Sequence, residues 1–406
     1  MTDSIFPARF ILAADIQLTD PMHITAIEKG RYIADEGRRL RYDNREQGVQ
    51  LSLTRTMRLA NYVEEEANGE ESTRRFGREI PVIPSSTVGG KLRNAAAQLI
   101  FDSLVQRDLS ISTNAYNTLC TGTATTSLDG DKTTPEVVRA ARSEPFLANF
   151  GGTSFALSSR SVISTGLPLI EATRDMLMSP PLDEQGVFNM VRFYDMTSVV
   201  AIVRKDPLRS LSSDTIEEVI AADELQAYFS ELKDKDEKKA TNKAKAKEDP
   251  ANATRDKKTD TRTLNAMEVI NPGMSFALRV QVDAFSEQQL GLMILAFQKV
   301  LRDGQIGGKA ARGFGRFTCK GSRLMQVDQN TNRVIESTLS PLFLDKSSGY
   351  AIDGLDNGTP TVLTSATMSA QDYLYQLDPS MIEAFASTDP AAIKVLLKEN
   401  LAKEAA

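Results

Sequence analysis

Between Met274 and Arg316 the hydrophobic pattern changes period and then stops, and this constrains the fold more than any other stretch. Phe276, Leu278, Val280 and Val282 alternate as the buried face of a strand does, and Leu290, Met293, Ile294, Phe297 and Leu301 then recur at helical spacing. The pattern ends in residues 303–316, Asp-Gly-Gln-Ile-Gly-Gly-Lys-Ala-Ala-Arg-Gly-Phe-Gly-Arg, with five glycines and three basic residues. A short strand is expected to resume at Phe317. A strand thus feeds a helix, and a loop returns the chain to strand. Residues 9–18 supply another strand: Phe10, Leu12, Ile16 and Leu18 share one parity and Arg9, Asp15 and Gln17 the other, as in a half-buried strand.

The clearest helix follows Pro84. Ser85 or Ser86 is placed to cap it, and Val88, Leu92, Ala95, Ala96 and Leu99 share one face. Gly89 and Gly90 in its first turns each cost roughly 1 kcal/mol relative to alanine, so close approach of another backbone is expected there. Residues 29–58 carry eight basic and four acidic residues, a net +4, and residues 64–71 read as an acidic loop. Strands are expected at 159–165 and 188–203, with a loop or small hairpin over 167–185 between them. Residues 233–263 hold eleven Lys or Arg, seven Asp or Glu and almost nothing apolar larger than alanine. Such a segment builds no core and reads as a disordered charged loop, with a basic arm that orders on a polyanion as the alternative. Residues 321–406 carry six basic and eleven acidic residues and end in small helices, where Asp378-Pro379 and Asp389-Pro390 each offer an N-cap followed by proline.

Composition removes several classes of function. With 406 residues, 41% of them hydrophobic, the chain buries a sizeable core. A net charge of −6 excludes a small basic nucleic-acid module but not a basic face, and residues 299–320 alone carry +5. His23 is the single histidine, which excludes multi-histidine zinc sites and leaves a Ser-His-Asp triad only with His23 as its base. Cys120 and Cys319 are far apart with no CxxC spacing, which argues for a reducing compartment and against a thiolate metal site. Neither a metal nor another cofactor is expected. The N-terminus is unlike a secretory signal and no stretch reaches the roughly 18 apolar residues of a membrane span, so the expectation is a cytoplasmic protein without membrane contact.

The glycine-rich stretch fits neither phosphate-binding template. Asp303 stands where the P-loop needs its first glycine and Ala310 where it needs Ser or Thr; Gly313 and Gly315 are followed by Thr318 where the dinucleotide fingerprint needs glycine. What remains is a basic loop that holds an RNA backbone through amides and Lys309, Arg312 and Arg316, or a plain tight turn.

Two motifs together resemble a known family. Residues 83–97, Ile-Pro-Ser-Ser-Thr-Val-Gly-Gly-Lys-Leu-Arg-Asn-Ala-Ala-Ala, resemble the helix-opening motif of the RAMP superfamily, the ferredoxin-like RNA-binding proteins of CRISPR systems. Residues 307–316 resemble that family's Gly-rich loop. The order of the motifs, with a strand and helix directly before the second and Pro21-Met-His-Ile-Thr25 after the first strand, is similar to the large backbone subunit that coats guide RNA, most like the type IV effector backbone. The resemblance implies an α+β fold, a ferredoxin-like, RRM-like palm over residues 1–320 with inserted finger and thumb elements: a basic finger at 28–80, a thumb-like element at 166–210 and the charged loop at 233–263. Residues 321–406 form an acidic, helical C-terminal extension.

The same resemblance gives roles to residues. Ser85 and Ser86 at a helix N-terminus are placed to hold a phosphate with Lys91 and Arg93, against simple capping and solvated charge. Arg38, Arg39 and Arg41 resemble a basic finger lining a groove, against a solvated loop. His23 is able to stack on a base, against a structural role. Arg160 joins the RNA-binding set because residues 159–163 resemble the strand that follows the first helix of the family. In backbones that cut target RNA an aspartate in the loop after the first strand is implicated; this chain continues Ile24-Thr-Ala-Ile-Glu28, and the expectation is a non-catalytic scaffold. Its expected partners are guide RNA, a target nucleic acid paired to that guide, further copies of itself and other CRISPR effector subunits. The alternatives are a target-RNA endonuclease of the same superfamily and a protein-only filament or shell subunit.

Overall fold

The computed structural model describes residues 6–33, 38–40, 49–68, 71–122, 135–152, 157–179, 182, 196–203, 264–308, 312–331, 333–335, 340–341 and 362–386. They divide into two compact units: residues 1–25, 54–198 and 269–406 form the first, and 26–53 with 199–268 the second. Helices and strands are both present among the described residues, in line with the α+β expectation.

The first unit is built on an antiparallel sheet. Its central strand is β1 (Ala8–Leu18), flanked by β11 (Ser275–Ala284) and β12 (Phe317–Val327), with β7 (Ser161–Ile163), β8 (Leu167–Pro168) and β13 (Ser340–Pro341) outside them. On one face lie α1 (Ser85–Gln106) and α5 (Glu287–Asp303), with α2 (Thr113–Thr121), α3 (Pro135–Ser143) and α4 (Pro145–Phe150) beside them. Helix α5 follows its expected pattern closely. Ser286 caps it by accepting from the Gln289 amide at 3.2 Å, and Gly304 ends it at φ 59, the left-handed conformation that favours glycine.

Strand β1 differs from its expected half-burial, because both parities are buried. Phe10, Leu12 and Ile16 join the main core, and Ile11 and Ala13 join Met325 and Val327 in a second cluster against Leu182. Asp15 is therefore buried, and its charge is matched by Arg279 on β11 at 2.9 Å. Arg279 also donates to Ser179 Oγ at 2.7 Å and to the Ala14 and Leu278 carbonyls, while Asp15 accepts from the Leu182 amide at 2.7 Å. Breaking such a pair by removing one partner costs about 3–5 kcal/mol, because the other charge stays buried.

Residues 64–71 are a correction. Instead of an acidic loop, residues 64–68 and 71 belong to a long antiparallel pair, β5 (Thr56–Asn68) with β6 (Glu71–Pro81), whose register sets Glu64 opposite Arg75 and Glu65 opposite Arg74. Backbone pairing between two strands, which composition does not report, makes a polar stretch strand. The boundary expected at 320/321 is also corrected, since β12 runs through it. The C-terminal helices α6 (Val362–Gln376) and α7 (Ser380–Ala386) contribute Leu363, Ala366, Ala370, Ile382 and Phe385 to the main core. A Cβ placed on Gly291 of α5 would lie 1.8 Å from the Ala366 carbonyl oxygen, so only glycine allows α6 to sit this close. Tyr373 donates to the buried Glu144 carboxylate, which also caps α4 by accepting from the Leu147 amide at 2.6 Å. Burial pushes the Glu144 carboxyl above its ordinary value and the Tyr373 hydroxyl well above its own.

The second unit is a five-stranded sheet in the order β3 (Arg38–Leu40), β2 (Thr25–Ile33), β4 (Val49–Thr54), β10 (Leu264–Ile270), β9 (Thr197–Val203). Leu51, Leu53 and Ala266 form its core with Ala26 and Val199. The finger expected over 28–80 is thus split: residues up to 53 join this unit, and the β5–β6 pair joins the first. The thumb-like 166–210 is described only at 166–179, 182 and 196–203, and the charged loop at 233–263 lies outside the described residues.

Candidate nucleic-acid interface

The helix-opening motif begins with backbone. Ile83 and Gly166 exchange hydrogen bonds at 2.9 and 2.7 Å, and Pro84 then occupies the N-cap position of α1, its carbonyl accepting from Thr87 at 2.9 Å and Val88 at 3.2 Å. Neither Ser85 nor Ser86 caps the helix, which corrects the sequence reading: proline, which has no N–H to lose, takes the turn. Their hydroxyls stand at the positive end of a 22-residue helix, Ser85 half-buried and Ser86 exposed, where the dipole favours an anion. The glycine pair is corrected as well. A Cβ on Gly89 would meet only the Ile163 side chain, at 3.0 Å, and one on Gly90 would meet nothing within 4 Å.

Lys91 and Arg93 point to different tasks. Lys91 is half-buried and lines a groove of about 420 Å³ that Asn94, Gln98 and Asp102 of α1 share with Lys299 and Asp303 of α5 and with Gln305 at the start of the glycine-rich loop. Arg93 instead turns inward. Its guanidinium donates to the carbonyls of Thr118 at 2.9 Å, Phe150 at 2.5 Å and Gly151 at 2.8 Å, and it lies 5.5 and 5.7 Å from the Phe146 and Phe150 ring centres. Burial lowers it to about 10. The expectation that Arg93 holds a phosphate is therefore corrected: its guanidinium is occupied by three backbone carbonyls and two aromatic rings.

The glycine-rich loop is anchored along its described length. Ile306 donates to the Gly315 carbonyl at 2.9 Å, Gly315 to Pro21 at 2.8 Å, Gly308 to His23 at 2.9 Å, and Thr19 to Arg316 at 3.0 Å. Gly307, Gly313 and Gly315 have φ of 95, 82 and 76, and a Cβ on Gly315 would fall 1.9 Å from the Ile306 carbonyl oxygen. The glycines thus let the loop fold back against the segment that follows β1. Arg312 and Arg316 are exposed on it, and Lys309 lies outside the described residues. His23, expected as a stacking platform, is buried at 2% exposure, its ring 3.1 Å from the Thr25 hydroxyl and its carbonyl tied to Gly308. That corrects its role to a structural one.

The remaining expected residues are not gathered at this site. Arg38 and Arg39 lie on β3 of the second unit, opposite Ile33 and Tyr32, and Arg41 lies outside the described residues. Arg160 sits with its guanidinium 3.8 Å over the ring centre of the exposed Phe285, and burial, then the charge of Arg142, lowers its pKa. Ala8 pairs with Ala284, whereas Leu18 pairs with Phe317. Phe285 and the glycine-rich loop therefore mark opposite ends of β1, roughly 30 Å apart at 3.3–3.4 Å per residue. Asn94, Gln98, Lys299 and Gln305 were missed by sequence reasoning, and no pattern in the sequence points to them, because only the packing of α1 beside α5 makes them neighbours.

Among the described residues no helix is long and apolar enough to cross a membrane, and no group of three or more His, Cys, Asp or Glu is arranged to hold a metal ion. A protein-family model described as the RAMP superfamily matches residues 15–318. No curated protein matches the chain. A chain from a solved structure described as "Type IV-B CRISPR Complex" is similar at 13% identity and a TM-score of 0.38, over 79% of this chain and 91% of that one.

Proposed function

Since the chain belongs to the RAMP superfamily, we propose that it is a backbone subunit of a CRISPR effector, which binds guide RNA without regard to sequence along most of its length and polymerises on it to present the spacer for pairing. One observation carries this reading. Lys91 of the first motif and Gln305, at the start of the glycine-rich loop, line the same groove, and the loop's exposed arginines follow from there. In this reading the first unit is the ferredoxin-like palm. Ser85, Ser86, Lys91, Arg312, Arg316 and Lys309 hold phosphates and sugars, which leaves base edges free to pair. The subunit is a cytoplasmic, non-cleaving scaffold that meets its copies head to tail, a heterologous contact that extends into a filament limited by the RNA. The type IV assignment rests on the form of the two motifs.

Co-expression with a guide RNA tests it. The expected result is a large particle in size-exclusion chromatography whose 260 to 280 nm absorbance ratio reports RNA. A particle free of RNA favours a protein-only filament, and a monomer with bound guide RNA by light scattering refutes polymerisation. Cleavage of labelled target RNA by the complex would identify an endonuclease instead.

A further inference from the structure

The groove between α1 and α5 is too mixed in charge to be a phosphate track alone. Lys91 and Lys299 face two carboxylates, Asp102 and Asp303, and Lys299 already lies 3.8 Å from Asp303. A phosphate chain is repelled at that end. The volume of about 420 Å³ is in the range of small-ligand sites. Its lining includes Ala95 and Val300, but at 5% and 3% exposure they offer little surface, so the polar groups around them decide what the groove takes. Asn94 and Gln98 are one helical turn apart and so project from the same side of α1. Gln98 donates to Asp102 Oδ1 at 2.7 Å, which fixes the amide with its oxygen turned away from that carboxylate and able to accept.

We propose that this groove takes the base of a single nucleotide of the bound RNA and favours adenine, read by the carboxamides of Asn94 and Gln98, with Lys91 on the adjoining phosphate. A carboxamide matches adenine in two hydrogen bonds, its oxygen accepting from the N6 amino group and its NH₂ donating to N7. The carboxylates at the far end add acceptors that suit an exocyclic amino group and oppose uracil, whose edge carries two carbonyl oxygens. The inference rests on the RNA-binding reading above and adds a base preference at one position.

Fluorescence anisotropy of the full chain with oligoadenylate, oligouridylate and oligocytidylate of equal length tests it. Oligoadenylate should bind about tenfold more tightly than oligouridylate, the discrimination of one bidentate pair. An N6,N6-dimethylated oligoadenylate should bind like oligouridylate. Both amides are exposed, so Asn94→Ala with Gln98→Ala should fold normally, bring the ratio close to one and leave oligouridylate affinity unchanged. Lys91→Ala should weaken all three equally. Equal affinities for the three homopolymers in the unaltered chain overturn the base site and leave the RNA reading intact, and no binding of any of them overturns both. A double variant that binds all three more weakly by the same factor makes the groove a phosphate track. One that changes self-association by light scattering while the ratio persists makes it a protein interface. Either result overturns the proposal.

Discussion

Gly315 and Gly313 sit two residues apart in the same loop with nearly the same backbone angles, φ of 76 and 82, yet their surroundings differ completely. A Cβ on Gly315 would lie 1.9 Å from the Ile306 carbonyl oxygen, whereas one on Gly313 would find nothing within 4 Å. Gly313→Ala therefore meets only the left-handed conformation, a cost of about 1–2 kcal/mol. Gly315→Ala meets the same cost and must also push the Ile306 backbone away. That movement breaks the Ile306 to Gly315 hydrogen bond and, with it, the Gly315 to Pro21 bond, each contributing about 0.5–1.5 kcal/mol. The expected loss for Gly315→Ala is about 2–5 kcal/mol, about 1–3 kcal/mol beyond its neighbour. Hydrogen exchange is the assay, because local opening is what it reads. The amides of Ile306, Gly308 and Gly315 should lose protection by about a hundredfold in Gly315→Ala and by about tenfold in Gly313→Ala, at about 1.4 kcal/mol per factor of ten. Equal loss of protection in the two variants would refute the reasoning, since it would mean that the loop is not packed against the segment after β1.

The other predictions concern the helical face and the residues proposed to hold RNA. Burial raises the Glu144 carboxyl above 4.5, so the folded chain holds a proton that the unfolded chain has released, and stability falls as pH rises from about 4.5 through the raised value. Glu144→Gln should remove that slope from thermal melts taken across acidic to neutral pH. Arg93→Ala should destabilise the first unit by about 2–4 kcal/mol in denaturant titration, because the carbonyls of Thr118, Phe150 and Gly151 lose their charged donor, while the salt dependence of RNA binding stays as it was. Gly291→Ala should cost about 2–4 kcal/mol and free α6 from α5, read as early proteolysis after residue 361, since its Cβ would collide with the Ala366 carbonyl. Arg312→Ala with Lys91→Ala should flatten the slope of log affinity against log salt by up to about one for each phosphate no longer neutralised, and an unchanged slope would show that neither residue touches the RNA backbone.

What the amino-acid order settles by itself is local. Alternation in Phe276 to Val282 and helical spacing from Leu290 to Leu301 are periodicities, and β11 and α5 appear where they place them, because burying one face of a single element is a matter of the residues within it. The two motifs are equally local, and so is the family they indicate. Partnership is not. The strand pair at 56–68 and 71–81 escapes a reading of composition because pairing is a matter of register between two strands, Glu64 opposite Arg75. Arg93 lies two residues from Lys91 in one motif, and only the packing of α2 and α4 beside α1 decides that one turns to buried carbonyls and the other to a groove. His23 is legible as a lone imidazole, but its burial beneath the glycine-rich loop goes with a hydrogen bond to Gly308, far away in sequence. Periodicity needs only neighbours along the chain, while the fate of a charged or polar side chain depends on which distant backbone groups the fold leaves in need of a partner.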